Sequence, residues 1–487
     1  MFAAYANQVS NTTLLANAGY LVSVVLFMLG IMRMGKVKTA RSGNQLAGGA
    51  MLLAMVAQFV EMGHINPVWI IVGLVIGGTI GLVSAIKVGM TEMPEMVALF
   101  NGSGGLASAL VALAAYMYLD VPGTPLMSAS MGGADPSIVN GLAVMLSILI
   151  GGVTFTGSLI AFGKLSGKVN GSPIMLPGRH VMNGALLLLS LGGTILVTFT
   201  TGGLPGAGIV VAVTVMALIL GVMLVIPIGG GDMPVVISLL NSYSGIGAAM
   251  AGFAINSQVL IVSGSLVGAA GLILTQIMCK AMNRSLANVL FGGFGAEPTD
   301  GGKGGGADEY TNVKAADAEE AAMILEDVES LIIVPGYGMA VSQAQHLVHE
   351  LGDLMEERGC QVRYAIHPVA GRMPGHMNVL LAEASVPYEQ LFELDQINNE
   401  FKNTDAVIVI GANDVVNPDA VDKKDSPLYG MPVLNVWEAR TCFVIKRSLS
   451  PGFAKVKNPL FEADNTYMLF GDGRKAVEEM IKALKEG

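Results

Sequence analysis

Val334-Pro335-Gly336-Tyr337-Gly338-Met339-Ala340-Val341 follows the apolar run Leu331-Ile332-Ile333 and precedes a stretch of helical spacing that ends near Arg358. The order is strand, glycine turn, helix. Gly336 permits a tight turn, Gly338 lets main chain approach a pyrophosphate, and Ala340 is small enough for close helix-strand packing, which would set the phosphates at the helix N-terminus. With Tyr337, Met339 and Val341 these residues form a candidate dinucleotide-binding turn. Glycine at such turns also serves backbone needs alone, so the surrounding chain has to decide the point.

Outward from this turn, strands are expected at Leu331 to Val334, Val362 to Ile366, Ala406 to Ile410, Val433 to Val436, Phe443 to Ile445 and Tyr467 to Phe470, alternating with helical stretches. That pattern predicts an α/β, Rossmann-like, doubly wound parallel sheet over residues 330–487. Ligands of open parallel sheets bind where strands end. Two such loops are Val369-Ala370-Gly371-Arg372-Met373-Pro374-Gly375 and Gly411-Ala412-Asn413-Asp414. Arg372 suits a pyrophosphate, and Asn413 and Asp414 suit a ribose or carboxamide, although Gly, Asn and Asp also favour turns for their own sake. An NAD site would carry an acid after the second strand, but here that strand ends in His367-Pro368. Lys446-Arg447, with Ser448, follows the fifth strand instead. Such a pair is either solvated charge or a site for a 2'-phosphate. With the acid missing, the balance tilts to NADP.

The rest of the chain belongs in a different solvent. Over 487 residues it is 52% hydrophobic and 13% charged, with mean hydropathy +0.60, too apolar for an ordinary soluble domain. A net charge of -10 and no basic groove exclude a nucleic-acid partner. Nine apolar runs reach the length of a bilayer span: Leu14 to Met32, Leu46 to Met62, Val68 to Ile86, Met96 to Leu119, Ile138 to Phe162, Met182 to Thr200, Gly208 to Ile226, Met233 to Phe253 and Val259 to Cys279. The first has no basic leader before it and reads as a retained span. Arg33, Lys36, Lys38, Arg41, Lys87, Lys164, Lys168, Arg179, Lys280 and Arg284 all fall in odd-numbered connections or just after the ninth span. The positive-inside bias therefore sets the N-terminus outside and the sheet domain in the cytoplasm, or in the matrix of a mitochondrion.

Residues 1–291 thus form a membrane bundle and 292–329 a linker. The linker holds Gly301-Gly302-Lys303-Gly304-Gly305-Gly306, a flexible tether by composition, and an acidic, solvated lead-in helix over Ala315 to Glu329. Inside the bundle, Asn101, Thr154, Thr156, Ser158, Asn241, Ser242 and Ser244 must find partners or line water. No Lys or Arg is expected to be buried. Asp232, in Gly229-Gly230-Gly231-Asp232-Met233-Pro234, is either a helix cap before Pro234 or a titrating gate. His64 and His180 read as solvated loop residues. Cys279, Cys360 and Cys442 lack metal spacing and read as free, packed thiols, and no metal site is expected.

The local sequences are close to one family. Met90-Thr91-Glu92-Met93-Pro94-Glu95, Phe155-Thr156-Gly157-Ser158, Gly231-Asp232-Met233-Pro234-Val235-Val236, Asn241-Ser242-Tyr243-Ser244-Gly245, Pro335 to Ala340, His367 to Met377, Gly411 to Asn417 and Lys446-Arg447-Ser448 run nearly end to end. The chain resembles the beta subunit of proton-translocating NAD(P) transhydrogenase. That resemblance implies a Re/Si-specific membrane enzyme passing hydride from NADH to NADP+ as a proton enters the cytoplasm. It implies NADP(H) on this chain, inverted beneath the loop from Lys446 to Phe453, with Gly430, Met431, Asp472 and Gly473 added to the contact set. NAD(H) would sit on an alpha subunit, one chain or two, in a homodimer of alpha-beta units in a bacterial inner membrane.

By position, the resemblance makes Asp232 a coupling residue at the mouth of the proton path and Asn241 a polar partner within it. Asn101 stands where many members carry a proton-carrying His. An amide does not titrate, so either the relay histidine lies elsewhere, on a partner subunit, or water does the work. Phe453 likewise stands where members often have Tyr. A rival of another class is an ion or solute transporter whose Rossmann domain only senses a nucleotide. Such sensors read NAD or ATP, and the missing acid and the lack of a charged midplane site count against it. A flavin- or quinone-linked dehydrogenase component lacks a second dinucleotide turn.

Overall fold

The computed structural model describes residues 11–35, 37–62, 68–119, 136–171, 173–199, 204–282, 285–291, 310–373, 375–452 and 454–486. The glycine-rich tether lies outside them, as do Lys36, His64, Arg284, Pro374 and Phe453. By its contacts the chain divides into two compact units, Met1–Ile228 with Val236–Leu274, and Gly229–Val235 with Thr275–Gly487.

Among the described residues nine helices are long and apolar enough to cross a bilayer. They are α1 (Asn11–Met34), α2 (Val37–Met62), α3 (Val68–Lys87), α4 (Met93–Leu119), α5 (Pro136–Leu165), α6 (Arg179–Phe199), α7 (Leu204–Val225), α8 (Met233–Ala254) and α9 (Gln258–Ala281). α1 packs along α2, α4 along α5, and α7 against α5 and α6. The α4/α5 contact is main chain on main chain: a Cβ on Gly151 would lie 2.5 Å from the Gly105 oxygen. Small residues are what let spans approach this closely where apolar burial drives nothing. α3 carries no buried residue, a surface suited to hydrocarbon and not to water.

The expectation that no cation is buried fails at Lys164. This residue, in the last turn of α5, is 5% exposed. Its ammonium donates to the main-chain oxygens of Ile226 at 2.5 Å and Ile228 at 2.7 Å, just past the end of α7. These oxygens belong to the turn that follows the helix, beside the negative end of its dipole. The lysine satisfies them, and they replace its water.

After a short helix α10 (Leu286–Phe291), the second unit resumes at Tyr310. Its strands are β1 (Ser330–Pro335), β2 (Gln361–Ile366), β3 (Leu391–Glu393), β4 (Ala406–Ile410), β5 (Thr441–Lys446) and β6 (Thr466–Phe470). They form one sheet in the order β3-β2-β1-β4-β5-β6, every pair parallel. This is the doubly wound order, with its reversal between β1 and β4. Pro335 pairs with Ile410 at the end of that ladder, so Gly336 and Gly411 leave the sheet side by side.

Three expected elements differ. Val433 to Val436 is not a strand: Leu434 N donates to Val415 O, Asn435 N to Asn398 Oδ1, and Asn398 Nδ2 to Val433 O. The run is apolar because Val433, Leu434 and Val436 are buried in the core, and side chains satisfy the main chain that a ladder would otherwise pair. The sixth strand is the three-residue edge β3. The helix after the glycine turn is also two helices, α11 (Ala318–Leu325) being followed beyond β1 by α12 (Tyr337–Ser342) and α13 (Gln345–Glu357), parted at Gln343 with φ 50°. The acidic lead-in is helical only over α11, started by a capping box of Asp317 and Glu320, and it is not wholly solvated: Ala321, Ala322 and Leu325 are buried.

Candidate functional site

Every candidate cofactor residue that the structure describes leaves the C-terminal edge of the sheet or a loop beside it. At the β1/β4 switch point the glycines meet each other. Gly336 N donates to Ile410 O and Gly338 N to Gly411 O, both at 2.9 Å. A Cβ on Gly338 would stand 2.5 Å from Gly411 Cα, and one on Gly411, whose φ is +63°, would stand 2.2 Å from Gly338 Cα. Glycine is required here because two loops cross main chain on main chain. Ala412 and the α12 residues Met339 and Ala340 are buried behind the crossing, and Val341 is exposed.

The β2 loop closes over the same turn. The Arg372 guanidinium lies 4.6 Å from the centre of the Tyr337 ring, a cation-π contact. Arg372 N donates to His376 Nδ1 at 3.0 Å, and His376 opens α14 (His376–Glu383) with its ring 6.3 Å from that of Tyr337. Gly371, φ +106°, leaves room for the imidazole, which a Cβ there would meet at 2.5 Å. Val369 packs on the core, Ala370 is buried and Met373 is half-buried.

His367, only 2% exposed, accepts the Val369 N–H at Nδ1 (3.2 Å), so its proton sits on Nε2 and is donated to Pro432 O at 2.7 Å. It thereby fixes the β2 loop to the segment of Gly430 and Met431, where Gly430 takes φ +80° and donates to Ala420 O, next to α16 (Asp419–Asp422).

Burial pushes both imidazoles down to about 4, with Arg372 adding to the effect at His376. The unfolded chain takes up these protons below the ordinary value of 6.5 and the folded chain does not. Their contribution to stability is therefore complete above pH 6.5 and is lost as pH falls towards 4, of the order of 3 kcal/mol for each ring. Hydrogen exchange of the sheet in the full chain is expected to quicken steeply over that window, and His376→Gln is expected to flatten the slope by about half. A slope unchanged in the variant would refute this account.

The third wall is the segment after β5. Lys446 donates its ammonium to Ser450 O and lies 5.2 Å from the Phe461 ring centre. Burial lowers its pKa, and Asp414 partly restores it. The Asn413 amide oxygen faces Lys446 Nζ at 3.2 Å and Gly452 N at 2.8 Å, the orientation that satisfies both donors. Asp414 Oδ2 accepts from Ala454 N at 3.0 Å, and Asn458 Nδ2 donates to Asn413 O at 3.1 Å. Loop 446–458 is thus laced to the Gly411–Asp414 turn. Arg447 and Ser448 remain exposed, with Ser448 Oγ 2.9 Å from Ser450 Oγ. Asp472 and Gly473 stand at the end of β6, where Asp472 accepts the Arg474 N–H at the start of α17 (Gly473–Glu486) and Gly473 closes on Ser342 Oγ.

This edge fits a dinucleotide. Main chain without Cβ lines its centre, and Arg372, Lys446 and Arg447 supply cations around it. His376 Nε2, fully buried, has no hydrogen-bond partner among the described residues. Its neighbour on Nδ1 is a donor, so Nε2 carries a proton it does not use.

The membrane candidates fall in two groups. Asn101 on α4 is 8% exposed and donates to Ile237 O on α8 at 3.2 Å. One turn further along α8 stands half-buried Asn241. Asp232 ends a single 3-10 turn, Gly230–Asp232, is 7% exposed and belongs with the unit that resumes at Thr275. Cys279, Cys360 and Cys442 are free and buried. His376, Ser450 and Asn458 join the candidate residues only through the structure. A histidine two places after the Gly371-to-Pro374 loop is the one local signal; Asn458 acts across 45 residues, and Ser450 takes the ammonium of Lys446 within its own loop.

A family model described as NAD(P) transhydrogenase beta subunit matches residues 16–483. Two curated relatives from Rhodospirillum rubrum, both named NAD(P) transhydrogenase subunit beta and one from a named strain, are each 46% identical to this chain over 470 residues. Each alignment covers 96% of this chain and 99% of the relative.

Proposed function

The chain belongs to the NAD(P) transhydrogenase beta-subunit family, and from that premise we propose that it holds NADP(H) on the C-terminal edge of its sheet while an alpha subunit brings NAD(H). The enzyme moves hydride between NADH and NADP+ in step with inward proton movement. What most supports the cofactor assignment is the lacing of the Lys446 loop to the Gly411–Asp414 turn beside the glycine crossing. Lys446, Arg447 and Ser448 would hold a 2'-phosphate, Arg372 and His376 Nε2 the pyrophosphate side, and Asn413 the ribose or carboxamide. When bound, the nicotinamide supplies the carbon that gives or takes hydride. The chain's own residues fix its orientation and keep water from it.

One dinucleotide turn implies one nicotinamide on this chain, and Re/Si-specific exchange needs a second in contact with it. Hence the alpha partner, as one chain or two, in a homodimer of alpha-beta units. The charge of the connections supports an N-terminus outside and the sheet in the cytoplasm, and the resemblance makes the membrane a bacterial inner one.

Titration of the full chain in detergent with NADP+, NADPH, NAD+ and ATP tests the assignment. NADP(H) is expected to bind tightly and NAD+ and ATP weakly. Replacing Lys446 and Arg447 together by Ala is expected to cost roughly 100-fold or more in NADP+ affinity, since hydrogen bonds to charged groups contribute about 1.5–3 kcal/mol each. Preference for NAD+ or ATP would make the domain a sensor attached to a transporter.

A further inference from the structure

The residues that resume the chain after the tether are fastened to the far end of the Lys446 loop. Tyr310 Oη accepts the Asn458 N–H at 3.0 Å, and its ring lies 6.0 Å from that of Phe461 and 4.8 Å from Lys457 Nζ. Thr311 N donates to the Glu462 carboxylate at 2.7 Å, and the same carboxylate pairs with Lys457 at 2.8 Å. Phe461 in turn lies under Lys446 Nζ, and the Asn458 amide donates to Asn413 O. Two steps of contact therefore join Tyr310 to both ends of the loop: through Phe461 to Lys446 at its start, and through Asn458 to the turn against which it closes. Beyond Ala315, the lead-in is anchored on β6 by Lys314 and Ala316, which flank Met468 in a parallel bridge.

We propose that Tyr310 is a positioning residue, a clasp that sets the stance of loop 446–458 and so the rate at which NADP(H) leaves. The inference rests on the reading that this loop covers NADP(H). The clasp touches no reacting atom. It acts by keeping Asn458 against Asn413 and Phe461 against Lys446, two of the contacts that hold the loop in place beside those of Asp414 with Ala454 and Asn413 with Gly452.

The test follows NADPH fluorescence during a chase with excess NADP+, using the full chain in detergent. Tyr310→Phe keeps the ring and removes the hydroxyl that accepts the Asn458 N–H, so release is expected to quicken about 3- to 10-fold. Tyr310→Ala also removes the ring from Phe461 and Lys457, and roughly 30-fold is expected. Association rates are expected to stay within about 2-fold of wild type. Release unchanged in both variants, with wild type binding normally, overturns the clasp. So does a loss of association and of thermal stability in equal measure, which would make Tyr310 a packing residue only. Should Tyr310→Ala fail to fold, Tyr310→Phe alone carries the test. If the wild-type chain binds no NADPH, the reading beneath the clasp falls and the clasp with it.

Discussion

Replacing Asp232 by Asn is expected to give an enzyme that binds NADP(H) as before but whose hydride exchange is no longer tied to proton movement, with proton-linked turnover down roughly 100-fold or more. The two side chains have the same shape, so the turn should survive: Asp232 N still donates to Gly229 O, and Lys164 still holds the carbonyls of Ile226 and Ile228 ahead of it. What is lost is the capacity to exchange a proton. A carboxyl kept at 7% exposure beside a membrane span is costly to maintain, and a cap alone would be served as well by Asn or Ser. Coupling of this kind is reciprocal, so bound NADP(H) should in turn alter the affinity of Asp232 for protons. The measurement is simultaneous: a pH dye trapped in vesicles and nucleotide absorbance outside, with the partner subunit present. Proton uptake at wild-type stoichiometry in the variant would return Asp232 to the role of a cap.

How much of this could be read from the chain depends on the range of each interaction. The spans and most of the sheet rest on local periodicity, and they are where the apolar runs put them. β3 escapes the sequence because three residues carry no pattern, and Val433 to Val436 reads as a strand because burial in a loop and burial in a sheet demand the same side chains. Lys164 looked like an open loop cation because the carbonyls that solvate it are more than 60 residues away. Gly336 and Gly338 were legible as necessary, but their immediate partner is main chain at Gly411, a fact of topology that only strand order supplies. Arg372, Asn413 and Lys446 could be nominated from loop position. That Tyr337, His376, Phe461 and Asn458 bind those loops to one another could not.

The glycine crossing carries the second large effect. Gly338→Ala would set a methyl 2.5 Å from Gly411 Cα, and Gly411→Ala a methyl 2.2 Å from Gly338 Cα. Neither obstacle is a flexible side chain, so the β1 and β4 loops must part. Overpacking typically costs about 1–3 kcal/mol, and Gly411 adds the penalty of a left-handed conformation, about 1–2 kcal/mol. A loss of about 1–3 kcal/mol for Gly338→Ala and about 2–5 kcal/mol for Gly411→Ala is a large share of a margin of about 5–15 kcal/mol. The displaced turn carries Asn413 and Asp414, and with them the anchors of loop 446–458, so NADP(H) affinity should fall in the same variants by roughly 100-fold. The two substitutions also compete for one gap. Once Gly338→Ala has forced the loops apart, Gly411→Ala finds the space already opened and costs little beyond its backbone strain. The double variant should therefore be less destabilised than the sum of the singles, by about 1–2 kcal/mol. Hydrogen exchange of the β1 and β4 loops in the full chain reads the stability, and NADPH fluorescence the affinity. Strict additivity of the two losses would mean that the loops do not share the gap, and near-wild-type affinity in both singles would mean that the crossing does not position the site.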